Sequence, residues 1–152
     1  MSHRVRCMFL DLGVRLGYAV TAQIDTTSPE WASTSKKGLR EFAALVEASP
    51  KPVVLVYEDV GPRPGAAACI GEYSVGLMQR LGAVALVCDG SIRDVEEVRA
   101  LGFQCFALGS SVSHGTMRRV RWDVPVVVDG LQVEPGDLIH GDVNGVISVP
   151  WE

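Results

Sequence analysis

Two short motifs place charged side chains at the predicted starts of successive helices. Gly71-Glu72 precedes one apolar pattern of helical spacing and Arg93-Asp94 precedes the next, with residues 73–92 between Glu72 and Arg93. Helices that follow consecutive strands are expected to lie side by side against a sheet, with their N-termini at the same edge. We therefore expect Glu72, Arg93 and Asp94 to lie close together.

These residue types suit a hard divalent cation and an anionic substrate. Carboxylates such as Asp94 and Glu72 can hold Mg²⁺ while waters complete its octahedral coordination. The unpaired N–H groups of a helix start attract a carboxylate. A cation held there would chelate a 2-oxo acid and stabilise its enolate, with Arg93 facing the developing oxyanion. Glu72 could then move a proton through a metal-bound water.

The same residues also have a purely structural interpretation. Acidic side chains at a helix N-terminus stabilise the helix by a few tenths of a kcal/mol, and an exposed ion pair adds little more. Glu72 and Asp94 would then be helix-start charges, and Arg93 their surface partner. The spacing alone leaves both interpretations open.

The composition is that of an ordinary globular protein. Of the 152 residues, 47% are hydrophobic and 21% are charged, which is enough apolar material for the core of one domain over residues 1–152. The net charge of −4 argues against a nucleic-acid-binding groove. We predict that the densest basic cluster, Arg118, Arg119 and Arg121, forms the solvated face of a strand.

Membrane and disulfide signals are weak throughout the sequence. No apolar run approaches the ~20 residues of a membrane helix, and no signal peptide is recognised, so we expect a cytoplasmic protein without a membrane partner. The four cysteines lack Cys-x-x-Cys spacing and sit mostly among apolar neighbours. We expect them to be buried reduced thiols rather than disulfides or metal ligands.

Strands and helices alternate through the middle of the chain. Apolar residues at helical spacing predict helices over 39–48, 71–81 and 93–102. Continuous apolar runs predict buried strands over 53–59, 83–90 and 103–108. Stretches rich in Ser, Thr, Pro and Gly predict loops over 26–38 and 60–69. After residue 115, turn signals such as Asp129-Gly130 and Asn144-Gly145 predict an all-β portion, so the fold class is α/β with a β-rich C-terminal part.

Several stretches together resemble one known family. Glu72, twenty residues (73–92) and then Arg93-Asp94 resemble the pattern Asp/Glu, twenty residues, Arg-Asp of metal-dependent aldolases in the RraA-like family. GYAVT (17–21), GPRPGAAACIGE (61–72), LGAVALVCDGSIRD (81–94) and VEPGDLIHGDVNGVISVP (133–150) resemble further motifs of that family. The resemblance spans residues 17–150.

The resemblance implies a fold, an assembly and a set of site residues. The fold would be a swivelling phosphohistidine-domain-like α/β sandwich, assembled as a homotrimer or hexamer with the active site between subunits. Asp94 would bind Mg²⁺ or Mn²⁺ directly, and Glu72 would hold metal-bound waters. Arg93 would contact the keto or enolate oxygen, and the backbone amides of Tyr73 and Ser74 would receive the substrate carboxylate.

The activity implied by the resemblance is that of a lyase. Family members include 4-hydroxy-4-methyl-2-oxoglutarate aldolases, which also decarboxylate oxaloacetate and release pyruvate. The alternative is a non-catalytic regulator that binds a protein partner such as a ribonuclease. Members of that kind typically lack the Arg-Asp pair, so Arg93-Asp94 favours an enzyme. A methyltransferase is disfavoured, because the sequence has no glycine-rich strand–turn–helix with an acidic residue for an adenosyl cofactor.

His114 is a further candidate outside these motifs. It lies in a polar loop after a strand, within the stretch SSVSHGT (110–116). It could contact substrate there, although a histidine in such a loop is more often a surface residue.

Overall fold

The structure, a computed structural model, describes residues 4–29 and 35–149. Its helices are α1 (Ser35–Ala48), α2 (Glu72–Arg80) and α3 (Val95–Ala100). Its strands are β1 (Arg6–Cys7), β2 (Arg15–Asp25), β3 (Val53–Asp59), β4 (Ala68–Ile70), β5 (Ala83–Cys88), β6 (Ser91–Ile92), β7 (Gln104–Ala107), β8 (Gly109–Ser110), β9 (Arg118–Trp122), β10 (Val126–Val128), β11 (Leu131–Val133), β12 (Leu138–Asp142) and β13 (Gly145–Val149). A short 3-10 helix spans Leu10–Leu12.

An eight-stranded mixed sheet forms the centre of the fold. Its order is β1-β7-β5-β3-β2-β12-β13, and β9 also pairs with β2. The four middle strands, β7, β5, β3 and β2, are parallel, whereas β1, β9, β12 and β13 join antiparallel. The four parallel strands are covered on both faces, so neither face meets solvent. Their sequences are therefore continuous apolar runs rather than alternations of apolar and polar residues.

Two apolar layers cover the two faces of this sheet. On one face, Phe42 and Val46 of α1, Met78 of α2 and Val98 of α3 are buried in one hydrophobic cluster. On the other face the β10–β11 hairpin and β12 contribute to a second cluster, whose members include Val126, Val128, Val133 and Ile139. Successive residues of β3 alternate between the two clusters, as the period of two in a strand requires.

A second, small parallel sheet leads into the helices that carry the predicted site. Its order is β4-β6-β8, with Ala68 opposite Ser91 and Ile70 opposite Ile92. The pairing continues one residue further, because the Arg93 N–H donates to the Ile70 carbonyl at 3.1 Å. Since α2 follows β4 and α3 follows β6, this register sets the two helix starts side by side.

Two predicted loops are partly wrong. Helix α1 includes Ser35–Ala48, so it begins before the predicted residue 39, because its polar first residues add no apolar periodicity. Residues 30–34 of that predicted loop lie outside the described residues. The predicted loop 60–69 runs into β4, because Ala68 and Ile70 gain partners from β6 that no local pattern reveals.

All four cysteines carry free thiols, as the sequence predicted. Cys69, Cys88 and Cys105 are buried, whereas Cys7 is half-buried. The sulfurs of Cys69 and Cys88 lie 3.5 Å apart, and the neighbouring thiol and burial raise the pKa of Cys69. Within the described residues, no helix is long and apolar enough to cross a membrane.

A close contact between a glycine and a ring makes the central sheet sensitive to one methyl group. A Cβ atom at Gly141 would lie 2.5 Å from Cζ of Phe106, which is buried in the second cluster. We expect Gly141→Ala to lower the free energy of unfolding by about 1–3 kcal/mol, because the ring must move within a packed core. Urea denaturation of the variant and the parent protein measures this change.

The matched control is Gly76→Ala in α2. Apart from the backbone of α2 itself, no described residue lies within 4 Å of a Cβ atom built at Gly76, and alanine favours helix over glycine by about 1 kcal/mol. This variant is expected to be as stable as the parent or more stable. Equal stability of both alanine variants would show that the Phe106 ring does not limit the space at Gly141.

Candidate functional site

The candidate site is built where α2 and α3 begin. Gly71 is the N-cap residue of α2 and has no side chain with which to cap it. The Oδ2 atom of Asp94 accepts a hydrogen bond from the Glu72 N–H at 3.0 Å. Asp94 therefore caps the neighbouring helix, and the predicted proximity of the two helix starts is present in the structure.

Asp94 reaches α2 because of an uncommon backbone conformation. Its φ of 55° and ψ of 49° lie in the left-handed region, which an aspartate occupies more readily than most residues other than glycine. Asp94 is the N-cap of α3, yet its side chain makes no capping bond to that helix. The carboxylate is therefore turned away from its own helix and towards the start of α2.

Gly71 leaves the space that this arrangement occupies. A Cβ atom at position 71 would lie 2.5 Å from Asp94 Oδ2 and 2.9 Å from Arg93 Nε. Arg93 Nε itself lies 3.7 Å from Asp94 Oδ2, and both side chains are about one-third exposed. The Arg-Asp pair thus packs against bare backbone, and a larger residue at position 71 would displace it.

A small cavity lies beside the pair. Its volume is about 260 Å³, below the ~300–1,000 Å³ of sites for drug-sized ligands, and its wall contains Arg93 together with Tyr73 and Ser74. The remaining lining residues are Leu39, Ala68, Cys69, Ile70, Gly71, His114, Met117 and Arg119. Because Tyr73 and Ser74 belong to the first turn of α2, their N–H groups have no acceptor within the helix.

Glu72 and Asp94 are adjacent to this cavity but do not line it. The Glu72 residue is exposed and Asp94 is half-buried. Among the described residues there is no group of three or more His, Cys, Asp or Glu side chains that could hold a metal ion. The carboxylates that belong to the two helix starts are those of Glu72 and Asp94. Mg²⁺ accepts such a pair when waters supply the remaining ligands, whereas a closed zinc site would not use it.

Arg119 lines the cavity, a position that the sequence did not predict for it. Its Cζ atom lies 4.7 Å from the centroid of the Phe42 ring, and its Nη2 donates to the Tyr57 hydroxyl at 3.2 Å. Its Nε is buried without a hydrogen-bond partner among the described residues. The predicted solvated face is therefore wrong for Arg119.

The prediction is also wrong for Arg118, which forms an ion pair with the buried Asp25 at 2.9 Å. A bulge in β9 places Arg119 and Arg121 on opposite faces of the sheet, although they are two residues apart. Ile24 pairs with Arg119 and Gln23 with Arg121, so Val120 has no partner in the register. Such an extra residue breaks the strict alternation from which a sequence pattern assigns faces, and no local signal marks it here.

His114 lines the cavity as well. Its side chain is exposed, and Nδ1 lies 3.3 Å from the Gly115 carbonyl oxygen. The loop position predicted from the sequence therefore brings His114 to the same cavity as Arg93. The His114 side chain is exposed to solvent at this cavity.

Asp89 anchors the loop that precedes Arg93-Asp94. Its Oδ1 atom accepts a hydrogen bond from the Asp59 N–H at 2.7 Å, which ties the end of β5 to the end of β3. Burial raises the pKa of Asp89 to about 6 from an ordinary value of 3.8. The folded protein therefore binds a proton here more tightly than the unfolded chain does.

This raised pKa predicts a pH dependence of stability. Between about pH 4 and pH 6 the contribution of Asp89 to the free energy of unfolding falls as pH rises, because the folded state must give up a proton that the unfolded state has already lost. Asp89→Asn keeps an acceptor oxygen but does not titrate. We expect the stability of Asp89→Asn relative to the parent to increase by on the order of 1–2 kcal/mol from pH 4 to pH 7.

Urea denaturation of both proteins at each pH measures this difference directly. Because the two chains share every other titrating group, their remaining pH dependence cancels. A difference that does not change with pH would show that Asp89 titrates at its ordinary value in the folded protein.

The capping role of Asp94 predicts a second stability effect. Asp94→Ala removes the acceptor for the Glu72 N–H and places alanine in the left-handed region, so we expect a loss of about 1–2 kcal/mol. Asp94→Asn retains an acceptor oxygen and tolerates that backbone, so its loss should be smaller. Chemical denaturation of the two variants measures the difference.

Asp11→Ala is the control for this pair. Asp11 forms an exposed ion pair with Arg99 at 2.7 Å, and solvent screening makes the contribution of such pairs to stability small. Equal losses for alanine and asparagine at position 94 would contradict the capping role.

Comparison with known proteins identifies relatives over most of the chain. A family model described as RraA-like, Aldolase/RraA, matches residues 2–148. A protein of Halalkalibacterium halodurans, provisionally named 4-hydroxy-4-methyl-2-oxoglutarate aldolase, is 33% identical over 117 residues. That match covers 76% of this chain and 54% of the relative, so the chain spans about half the length of that protein.

Solved structures share the fold. Streptomyces coelicolor RraAS2, described as an unusual member of the RNase ES inhibitor RraA protein family, matches with a TM-score of 0.77 and 27% identity, over 97% of this chain and 70% of that one. The RNA-processing inhibitor RraA from Thermus thermophilis matches with a TM-score of 0.72 and 19% identity, over 99% and 84% of the two chains. The mixed α/β architecture is thus the one found in RraA proteins.

Proposed function

We propose that this chain, which belongs to the RraA-like family, is a divalent-metal-dependent lyase that releases pyruvate from 4-substituted 2-oxo acids. The substrates would include oxaloacetate, which loses carbon dioxide, and 4-hydroxy-4-methyl-2-oxoglutarate, which undergoes aldol cleavage. In both reactions the bond between C3 and C4 breaks, and its electron pair forms the enolate of pyruvate. A proton added at C3 then completes the product.

The observation that carries this proposal is the hydrogen bond between Asp94 and the start of α2. It fixes a carboxylate and the Arg93 guanidinium beside a cavity of small-molecule size. The Glu72 N–H and Arg93 both contact the same Asp94 oxygen, Oδ2. The other oxygen has no hydrogen bond to the described residues, so it suits a hard cation such as Mg²⁺ or Mn²⁺.

Other groups of the chain would bind the substrate and move its proton. The N–H groups of Tyr73 and Ser74 would bind the carboxylate next to the keto group, since they have no acceptor within α2 and lie at the positive end of its dipole. Arg93 would donate to the keto oxygen, and its bond would strengthen as that oxygen gains negative charge. In aldol cleavage the C4 hydroxyl loses its proton as C4 becomes the keto carbon of the second product, and Glu72, exposed beside the cavity, would accept that proton. In both reactions Glu72 would then return a proton to C3.

A bound divalent cation would supply the Lewis acid that lowers the energy of the enolate. Asp94 and Glu72 are the residues that would hold it. The homotrimer or hexamer expected from the resemblance, with its site between subunits, is part of the same proposal.

Removing the metal or the Arg-Asp pair should abolish pyruvate release. The assay follows pyruvate from oxaloacetate and from 4-hydroxy-4-methyl-2-oxoglutarate with Mg²⁺, and then with excess chelator. We expect the chelator to stop turnover and Asp94→Asn to lower kcat/KM by ~10²-fold or more, because it loses the charge that holds the cation. Arg93→Gln should lower kcat more than it raises KM, because its bond to the oxygen strengthens in the transition state.

Asp11→Asn and Arg99→Gln are matched controls, since they alter an exposed ion pair away from the cavity. Both should keep the parent activity. Turnover that persists in chelator, or that is unchanged in Asp94→Asn, would rule out the metal-dependent lyase.

The alternative proposal is a non-catalytic regulator that binds a ribonuclease. It is favoured by the likeness to RraAS2, described as belonging to a family of RNase ES inhibitors. Such a role would use the outer surface rather than the cavity. Inhibition of an RNase E-type endonuclease by the parent protein and equally by Asp94→Asn, without any pyruvate release, would support it over the lyase.

A further inference from the structure

The wall of the candidate cavity contains a second arginine. Arg119 lies on β9, whereas Arg93 lies at the start of α3, so two separate parts of the chain bring guanidinium groups to one cavity of about 260 Å³. Among the described residues, the same wall contains His114 and no Asp or Glu side chain. The space between these residues is therefore one in which a negatively charged ligand is favoured.

The charges of the two arginines are balanced differently. Arg93 has the Asp94 carboxylate 3.7 Å away. The ion pairs among the described residues engage the arginines at positions 4, 93, 99 and 118, and none involves Arg119. An arginine stays protonated in proteins, and a buried charge without a counter-charge is unfavourable. The buried Nε of Arg119, which has no partner in the described part of the chain, adds an unused donor.

Arg119 is held in position by neutral groups. Its Cζ lies 4.7 Å from the Phe42 ring centroid and 5.6 Å from that of Tyr57, and its Nη2 donates to the Tyr57 hydroxyl at 3.2 Å. Both rings are fully buried. Cation–π contacts and one neutral acceptor orient the guanidinium without neutralising it, so it is preorganised for an anion.

We propose that Arg119 binds the distal carboxylate of a dianionic 2-oxo acid that keeps this carboxylate during cleavage, as 4-hydroxy-4-methyl-2-oxoglutarate does, and thereby selects dicarboxylic over monocarboxylic substrates. The inference rests on the proposed function, in which the first carboxylate and the keto oxygen already engage the start of α2 and Arg93. A second carboxylate is then the group whose charge and geometry match the remaining guanidinium, because its two oxygens fit the planar fork of donors. The small cavity favours a short dicarboxylic acid.

The test compares two ligands that differ only in the distal carboxylate. Isothermal titration calorimetry with Mg²⁺ present measures Kd for 2-oxoglutarate and for 2-oxopentanoate, which has the same chain length. We expect the parent protein to prefer 2-oxoglutarate. Arg119→Gln should raise the Kd of 2-oxoglutarate by about 10- to 100-fold and change that of 2-oxopentanoate by less than about twofold.

Two further variants separate binding from folding. Arg119→Lys keeps a cation but loses the fork, and should retain part of the preference. Arg121→Gln alters an exposed arginine of the same strand that does not line the cavity, and should behave as the parent. Thermal unfolding of each variant establishes that the folded protein is the one titrated.

Other outcomes would overturn the inference or separate it from the proposed lyase activity. If Arg119→Gln raises the Kd of both ligands by the same factor, Arg119 only supports the cavity wall. A parent protein that binds 2-oxoglutarate no better than 2-oxopentanoate, or binds neither at millimolar concentration, would also contradict it. If the protein releases pyruvate and Arg119→Gln keeps the parent's ligand preference, the proposed lyase stands and Arg119 does not bind the distal carboxylate.

If the parent protein releases no pyruvate and Arg119→Gln loses the preference for 2-oxoglutarate, Arg119 binds the distal carboxylate and the proposed lyase is wrong.

Discussion

The pairing of β4 with β6 is the constraint from which the candidate site is built. Its two bridges and the bond from the Arg93 N–H to the Ile70 carbonyl set the starts of α2 and α3 at one level. Only in this register can the Asp94 carboxylate accept a hydrogen bond from the Glu72 N–H. Because Gly71 contributes no side chain, the same register leaves room for the carboxylate and for Arg93 against bare backbone. A slip of one residue would turn each of these side chains to the opposite face.

The structural and the chemical interpretations of Asp94 are compatible. As a cap, Asp94 satisfies a backbone donor that Gly71 cannot reach. That bond uses one oxygen and orients the whole carboxylate, so the second oxygen has a defined direction. A ligand whose position is fixed before a cation arrives loses little entropy on binding it. The uncommon backbone of Asp94 supports this view, since such conformations concentrate where a fold fixes the direction of a side chain.

The sequence predicts those parts of the fold that depend on local patterns. The strand Val53–Asp59 and the starts of α2 and α3 follow from apolar runs, periodicity and breaking residues. Contacts between distant segments were not predictable in this way. Strand β4 exists through its pairing with β6, and the bulge at Val120 changes the faces on which the arginines of β9 lie. The juxtaposition of Glu72 and Asp94 followed from topology, whereas the cavity position of Arg119 required the register of β9 with β2.

Net charge is a poor guide to what this cavity would bind. The chain carries −4 overall, yet the described part of the cavity wall contains two arginines, one histidine and no carboxylate. Charges outside the wall are screened by solvent over roughly 10 Å, whereas partly buried groups act at short range through a lower dielectric. Asp94 offsets Arg93, and Asp25 offsets Arg118. The unbalanced charge that remains at the cavity is that of Arg119, so the local field favours an anion in a protein that is acidic overall.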